Sequence, residues 1–298
     1  MEMLTLSHVA KSFGSKQVLR DVSFSVPEHT VFGFVGQNGA GKTTAMKLIL
    51  GLLDADGGEI SVNGRPVRYG NTPTNQYVGY LPDVPEFYDY MTPEEYLCFC
   101  GEIAGMPKGE RKSRSRELLR LVGLEQDNRR IKGFSRGMKQ RLGIAQALFC
   151  RPRLLICDEP TSALDPVGRR ELLDILVNVK EQTTVLFSTH ILSDVEHICD
   201  EIAFLHEGNI VLQGPLEKVR RKRRDTGVEL ELARTEEVKF LLSEFPFLEL
   251  SGSNRILLKE AKKLPDVLRL IADRNLAILR LERQEAALED LFLEVVGK

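Results

Sequence analysis

GQNGAGKT, Gly36 to Thr43, decides the fold. It fits G-x-x-x-x-G-K-[ST] in full, and its flanks suit the pattern: VFGFV before it has the composition of a strand and KTTAMKLILGLL after it that of a helix. Phosphate oxygens need several N–H donors at close range, which side chains on Cβ would obstruct. Gly36, Gly39 and Gly41 let the backbone wrap, and the start of the helix contributes its positive end. Lys42 is then placed to pair with β- and γ-phosphates, and the Thr43 hydroxyl to ligate Mg²⁺. The segment predicts a bound nucleoside triphosphate.

Outward from it, residues 1–65 alternate apolar and polar positions in short runs such as MLTLSHVAKSF and VLRDVSFSV, which predicts a β-rich opening. From Thr92 to Val122 the pattern turns helical, broken by Gly105, Pro107 and Gly109. RLLICDEP, TTVLFSTH and EIAFLHEG then alternate with helical stretches, the αβ alternation of a parallel sheet. This domain is expected to end near residue 219, with a helical subdomain at about 91–150. The basic run RRKRR falls in an expected linker, 220–226, which is either simply solvated or touches anionic lipid. Residues 227–298 follow as a small α+β domain whose first six elements run β-α-β-β-α-β, the ferredoxin-like order.

At 298 residues the chain is long enough for one large domain and one small. Its 41 Lys and Arg against 43 Asp and Glu give a formal charge of −2, which argues against nucleic acid as a partner and makes any anion site local. No apolar run approaches the roughly 18–20 residues that span a bilayer, and MEMLTLSHVAKSFG lacks a signal pattern, so a cytoplasmic location is expected. The five cysteines show no metal-ligand spacing and are expected to be reduced thiols in or near a core.

Two further stretches carry chemistry. LLICDEP ends an apolar strand in two carboxylates. Asp158 suits the acidic partner of Mg²⁺, and Glu159, pointing the other way at a strand end, suits a base for the attacking water. TTVLFSTH closes on His190, at the sheet edge where α/β folds bind ligands, although a lone histidine is as readily structural.

In this order the pieces resemble the ATP-binding subunits of ATP-binding cassette (ABC) transporters over roughly residues 1–220. GQNGAGKTT matches the P-loop, GYLPD the Q-loop region, FSRGMKQR the signature motif, LLICDEP the second Walker motif, SALD the D-loop and STH the switch-histidine strand. The resemblance implies an α/β P-loop NTPase cassette: a RecA-like core with an antiparallel β subdomain and a helical subdomain. It implies ATP held by Gly36, Gln37, Asn38, Gly39, Ala40, Gly41, Lys42, Thr43 and Thr44, with Mg²⁺ at Thr43, Asp83 and Asp158. Glu159 would be the general base and His190 a γ-phosphate contact. Phe13 falls where the family stacks an aromatic ring on adenine; plain packing beneath the first sheet is the other reading.

The chain departs from the family pattern in two places. Asp83 stands where glutamine is usual. In the signature, usually Leu-Ser-Gly-Gly-Gln, Phe134, Arg136 and Met138 replace the first, third and fifth residues, while Ser135 and Gly137 keep the hydroxyl and the unobstructed N–H. The resemblance implies a head-to-tail pair of chains, expected to be identical, in which Ser135 and Gly137 of one cap the ATP of the other. Asp165 would connect the two sites across that interface, or else cap the helix that follows it. A separate membrane permease is implied, docking near the aromatics Phe87, Tyr88 and Tyr90, which could equally pack within the helical subdomain. The ending ALEDLFLEVVGK resembles exporters of the ABC-2 type for drugs, antibiotics or polysaccharides. Two alternatives stand beside an exporter: a soluble ABC ATPase with a non-transport partner, and a module that binds ATP without hydrolysing it.

Overall fold

The computed structural model describes residues 1–70, 73–125, 129–162, 164–221, 227–283, 288–289 and 291–292. The chain divides into two compact units, Met1–Leu216 and Glu217–Lys298. The first opens with the long antiparallel strands β1 (Glu2–Phe13) and β2 (Lys16–Pro27) and then β3 (Val31–Val35), whose five residues are all buried. Helix α1 (Lys42–Ile49) follows, and its buried Lys42, Ala45, Met46 and Ile49 share the i, i+3, i+4, i+7 face that a helix must turn inward. Strands β4 (Gly57–Val62), β5 (Arg65–Pro66) and β6 (Val78–Leu81) precede three helices: α2 (Pro93–Ile103), α3 (Lys108–Leu121) and α4 (Arg136–Leu148). Thr92 and Glu95 form a reciprocal capping box that starts α2. The alternation then resumes with β7 (Leu154–Asp158), α5 (Pro166–Val179), β8 (Thr184–Thr189), α6 (Leu192–Ile198), β9 (Glu201–His206) and β10 (Asn209–Pro215).

These strands make one sheet in the order β5-β4-β1-β2-β10-β9-β3-β8-β7-β6. One end, β9-β3-β8-β7-β6, is parallel, and the other, running from β2 to β5, is antiparallel. A single core joins the two parts: Leu4, Leu6 and Phe24 from the antiparallel strands, Met46 and Ile49 from α1, and Leu154 and Leu205 from the parallel ones. Phe24 stacks on Phe32 and Phe34 with ring centroids 5.5 and 5.2 Å apart. Strands β3, β7 and β8 are buried along their whole length, which is why their centres are apolar runs in sequence. Gly79 of β6 is required by close approach, since a Cβ there would lie 2.2 Å from the Ala147 carbonyl oxygen of α4.

Arg220 and Arg221 of the basic run end a short helix, α7 (Leu216–Arg221), and the remainder of the expected linker lies outside the described residues. The second unit contains β11 (Val228–Leu232), α8 (Thr235–Glu244), β12 (Leu248–Gly252), β13 (Arg255–Leu258), α9 (Leu264–Asp273) and β14 (Ile278–Arg283). Its sheet order is β12-β13-β11-β14, with every neighbour antiparallel, as the β-α-β-β-α-β reading requires of a ferredoxin-like unit. Val228, Leu230 and Leu232, alternating along β11, pack with Val238 and Leu241 of α8 and with Val267 and Ile271 of α9. The expected helix through ALEDLFLEVV falls largely outside the described residues.

Candidate active site

Three neighbouring parallel strands deliver the reactive residues. Register pairs Phe34 of β3 with Ser188 of β8 and Ser188 with Asp158 of β7, so Gly36, Glu159 and His190 all emerge just beyond the same row. Gly36 is tied to that row by its N–H, which donates to the Thr189 carbonyl at 3.2 Å. Ligands of open α/β sheets bind at such carboxyl ends.

The loop from Gly36 to Gly41 is built to hold an anion. Gly39 and Gly41 have φ of 82° and 112°, a region that other residues adopt only with strain, and nothing lies within 4 Å of a Cβ placed on Gly39. A Cβ on Gly36 would meet the Leu205 carbonyl oxygen at 2.6 Å. Lys42, only 5% exposed, directs its ammonium back over the loop, donating to the Gly36 carbonyl at 2.6 Å and the Gln37 carbonyl at 3.1 Å. Its remaining partner is Glu159, whose Oε1 lies 3.0 Å away. Glu159 is a non-glycine residue with φ of 48°, a conformation sparsely populated outside functional sites. Its other carboxylate oxygen meets His190 Nδ1 at 2.6 Å, and its backbone N–H donates to Ser188 Oγ at 3.0 Å. The same Ser188 hydroxyl donates to Asp158 Oδ1 at 2.6 Å, so one serine orients both acidic residues.

Around these groups lies a cleft of about 630 Å³. It brings together Phe13, Asn38, Gly39, Gly41, Lys42, Thr43, Thr44, Asp83, Glu159 and His190 from the expected residues, and adds Lys16, Val18 and Ser162. Phe13 is 49% exposed, which excludes plain packing beneath the sheet. Asp83 Oδ1 accepts from Ser162 Oγ at 2.5 Å and faces Arg136 at 3.4 Å. Buried Asp158 and exposed Thr43 are a donor set that fits Mg²⁺, which takes one or two carboxylates and completes its shell with water and phosphate oxygens. Among the described residues, no group of three or more His, Cys, Asp or Glu converges as a closed transition-metal site would need. Burial beside Asp158 pushes the Tyr80 phenol up to about 12, so it remains a neutral O–H.

Ser135, Gly137 and Asp165 do not line the cleft. Ser135 caps α4, its Oγ accepting from the Met138 N–H at 3.2 Å, which leaves the hydroxyl hydrogen to donate elsewhere. Asp165 caps α5, accepting from the Gly168 N–H at 2.7 Å, the helix-capping reading of that carboxylate. Phe87 and Tyr88 pack on α2, with ring centroids 5.1 Å from Tyr96 and 5.6 Å from Phe99 respectively, yet Tyr88 and Tyr90 are 49% and 65% exposed. Of the cysteines, Cys157 is buried and Cys150 exposed, and burial pushes the Cys157 thiol well up.

Sequence reasoning passed over Ser188, Ser162 and Gln140, and noted Arg136 only as a departure from the signature, without its contact to Asp83. Gln140 carried a signal: a polar residue on the buried face of α4, where its Nε2 donates to the Asp83 carbonyl at 2.6 Å. The other three depend on strand register or on contacts between distant segments.

The family described as ABC transporter matches residues 19–162. The chain is 37% identical to the uncharacterized ABC transporter ATP-binding protein YxlF of Bacillus subtilis (strain 168), over 99% of both. It is 33% identical to the linearmycin resistance ATP-binding protein LnrL of the same organism, again over 99% of both. A solved ATP-binding subunit of an ABC transporter superposes with a TM-score of 0.65 at 34% identity, covering 74% of this chain and 92% of that one.

Proposed function

The chain belongs to the ABC transporter family of ATP-binding proteins, and from that premise we propose that the cleft around Lys42 is where it hydrolyses ATP, with Glu159 as the base. The position of Glu159 carries the proposal. Its carboxylate lies 3.0 Å from the P-loop lysine and 2.6 Å from His190, on the rim of a concave loop of N–H donors. The Phe13 ring offers adenine a face at the mouth of the cleft. Residues 36–44 wrap the phosphates, with Lys42 neutralising the β and γ groups, while Thr43, Asp158 and Asp83 hold Mg²⁺. Bound there, the ion offsets charge developing on the β- and γ-phosphates. Glu159 takes the proton of the attacking water, and His190 orients that carboxylate and reaches the γ-phosphate.

Ser135 and Gly137, outside the cleft on the exposed N-terminal end of α4, are assigned to the ATP of a second copy of the chain. Their hydroxyl and N–H donors, together with the helix dipole, suit a γ-phosphate. ATP binding therefore closes a head-to-tail dimer, and hydrolysis loosens it. Among the described residues no helix is long and apolar enough to cross a membrane; the relatives are named as ATP-binding proteins, YxlF as that of an ABC transporter, and that supports a separate permease that carries the substrate and holds this subunit at the cytoplasmic face. The exposed aromatics at Tyr88 and Tyr90 are its docking point. Export is the direction favoured, supported by the full-length relative named for linearmycin resistance.

The test is size-exclusion of Glu159→Gln with and without Mg-ATP, paired with phosphate release. We expect the apparent mass to double only with Mg-ATP, and phosphate release to be nearly abolished. A variant that stays monomeric at saturating Mg-ATP would remove the dimer assignment, and one that hydrolyses at the wild-type rate would remove the base.

A further inference from the structure

Asp83 and Arg136 stand at two positions where the chain departs from the family's usual residues, and the fold brings them into contact. Arg136 opens α4, one residue after Ser135, and its Nη2 lies 3.4 Å from Asp83 Oδ1 and 3.2 Å from Ser162 Oγ. Ser162 donates to the same Asp83 oxygen at 2.5 Å. One turn along α4, Gln140 Nε2 donates to the Asp83 backbone carbonyl at 2.6 Å. Residues four apart share a helix face, so α4 grips residue 83 twice, by its side chain and by its backbone. The side-chain grip depends on charge, and the glycine usual at position 136 could not make it.

Asp83 and Ser162 both line the cleft, with Lys42, Thr43 and Glu159. A bare carboxylate there repels a triphosphate and attracts a divalent cation; one paired with a guanidinium does less of both. We propose that Arg136 is a positioning residue that holds Asp83 against α4 and gives up that carboxylate when Mg-ATP loads the cleft. The released guanidinium then lies at the end of α4 beside Ser135 and Gly137, the end that faces the second copy. Loading one cleft thus alters the charge presented to the other. This inference rests on the cleft being the Mg-ATP site.

The experiment measures binding of a fluorescent ATP analogue to the full-length protein, with Mg²⁺ and with EDTA, and takes the ratio of the dissociation constant in EDTA to that in Mg²⁺. Wild type, Arg136→Gly, Arg136→Lys, Asp83→Asn and the double variant Asp83→Asn/Arg136→Gly are compared. Both side chains are about half exposed, so the effect is that of a solvated pair, at most about fivefold. Arg136→Gly is expected to weaken metal-free binding and tighten metal-dependent binding, raising the ratio up to that limit. Arg136→Lys should return it towards wild type, and in the Asp83→Asn background Arg136→Gly should leave it unmoved. A ratio unaffected by Arg136→Gly, or moved equally with Asp83 replaced, overturns the proposal while leaving the cleft assignment intact. A wild type that binds the analogue under neither condition overturns the cleft assignment, and this inference with it.

Discussion

Replacing Glu159 with glutamine should move binding and catalysis in opposite directions. The Glu159 carboxylate occupies the third donor of Lys42, the other two being taken by the Gly36 and Gln37 carbonyls. An incoming γ-phosphate has to displace it. Both side chains are well buried, at 5% and 14% exposure, so their attraction is only weakly screened. Close, poorly solvated charge pairs couple by about 1.5–7 kcal/mol in double-mutant cycles, and the lower end is about a factor of ten in an equilibrium. The glutamine amide oxygen can still accept from Lys42, so the hydrogen bond survives and only the ion–ion part is lost. Mg-ATP should therefore bind Glu159→Gln about tenfold more tightly. Hydrolysis should fall by about 10²–10⁴, the usual contribution of a positioned base. Fluorescence titration with an ATP analogue gives the first quantity and single-turnover phosphate release the second. Unchanged or weaker binding would refute the idea that Glu159 competes with phosphate for Lys42; a loss of rate below tenfold would refute its role as base.

Two further substitutions separate roles that coincide in one side chain. Asp165→Ala removes the α5 cap and should cost about 1 kcal/mol in urea denaturation, whereas Asp165→Asn retains a capping oxygen and should cost a few tenths. If Asp165 also connects paired copies, Asn will still slow hydrolysis at saturating ATP, and an unchanged rate confines the residue to capping. Asp194, buried on α6 and accepting from Thr161 Oγ1 at 2.7 Å, has its carboxyl pushed above the ordinary 3.8 by burial, the Thr161 bond and Arg169 opposing only in part. The folded state then binds the proton more tightly than the unfolded one, so this contribution to stability is complete below pH 3.8 and is lost as pH rises through the folded value. Asp194→Asn should lack that decline. Denaturation midpoints of the two proteins, compared from pH 4 to pH 7, should change in favour of the variant as pH rises, and parallel profiles would show that Asp194 does not titrate in this way.

What was legible in the sequence was whatever the chain writes consecutively. The P-loop, the Asp158–Glu159 pair and His190 each follow an apolar strand directly, so strand and functional residue were found together. The ferredoxin-like order of the second unit was legible for the same reason, since Val228, Leu230 and Leu232 alternate and α8 and α9 keep a helical period. What could not be read depends on which strands lie side by side. Ser188 orients Asp158 and Glu159 only because β7 and β8 run parallel in that register. Arg136 and Asp83 are 53 residues apart, and nothing in sequence linked these separate departures from a pattern. Lys42 was expected to face phosphate, and nothing in its neighbours in sequence indicated that Glu159 would hold it first.

The row that joins Phe34, Ser188 and Asp158 has a consequence for how such a subunit can diversify. Backbone ladders deep in the sheet hold Gly36, Glu159 and His190 in alignment, while the surfaces proposed to meet a partner lie on helices and loops outside it. Exchange of those outer parts would leave the alignment of Gly36, Glu159 and His190 undisturbed, so new partners could be met on an unchanged row.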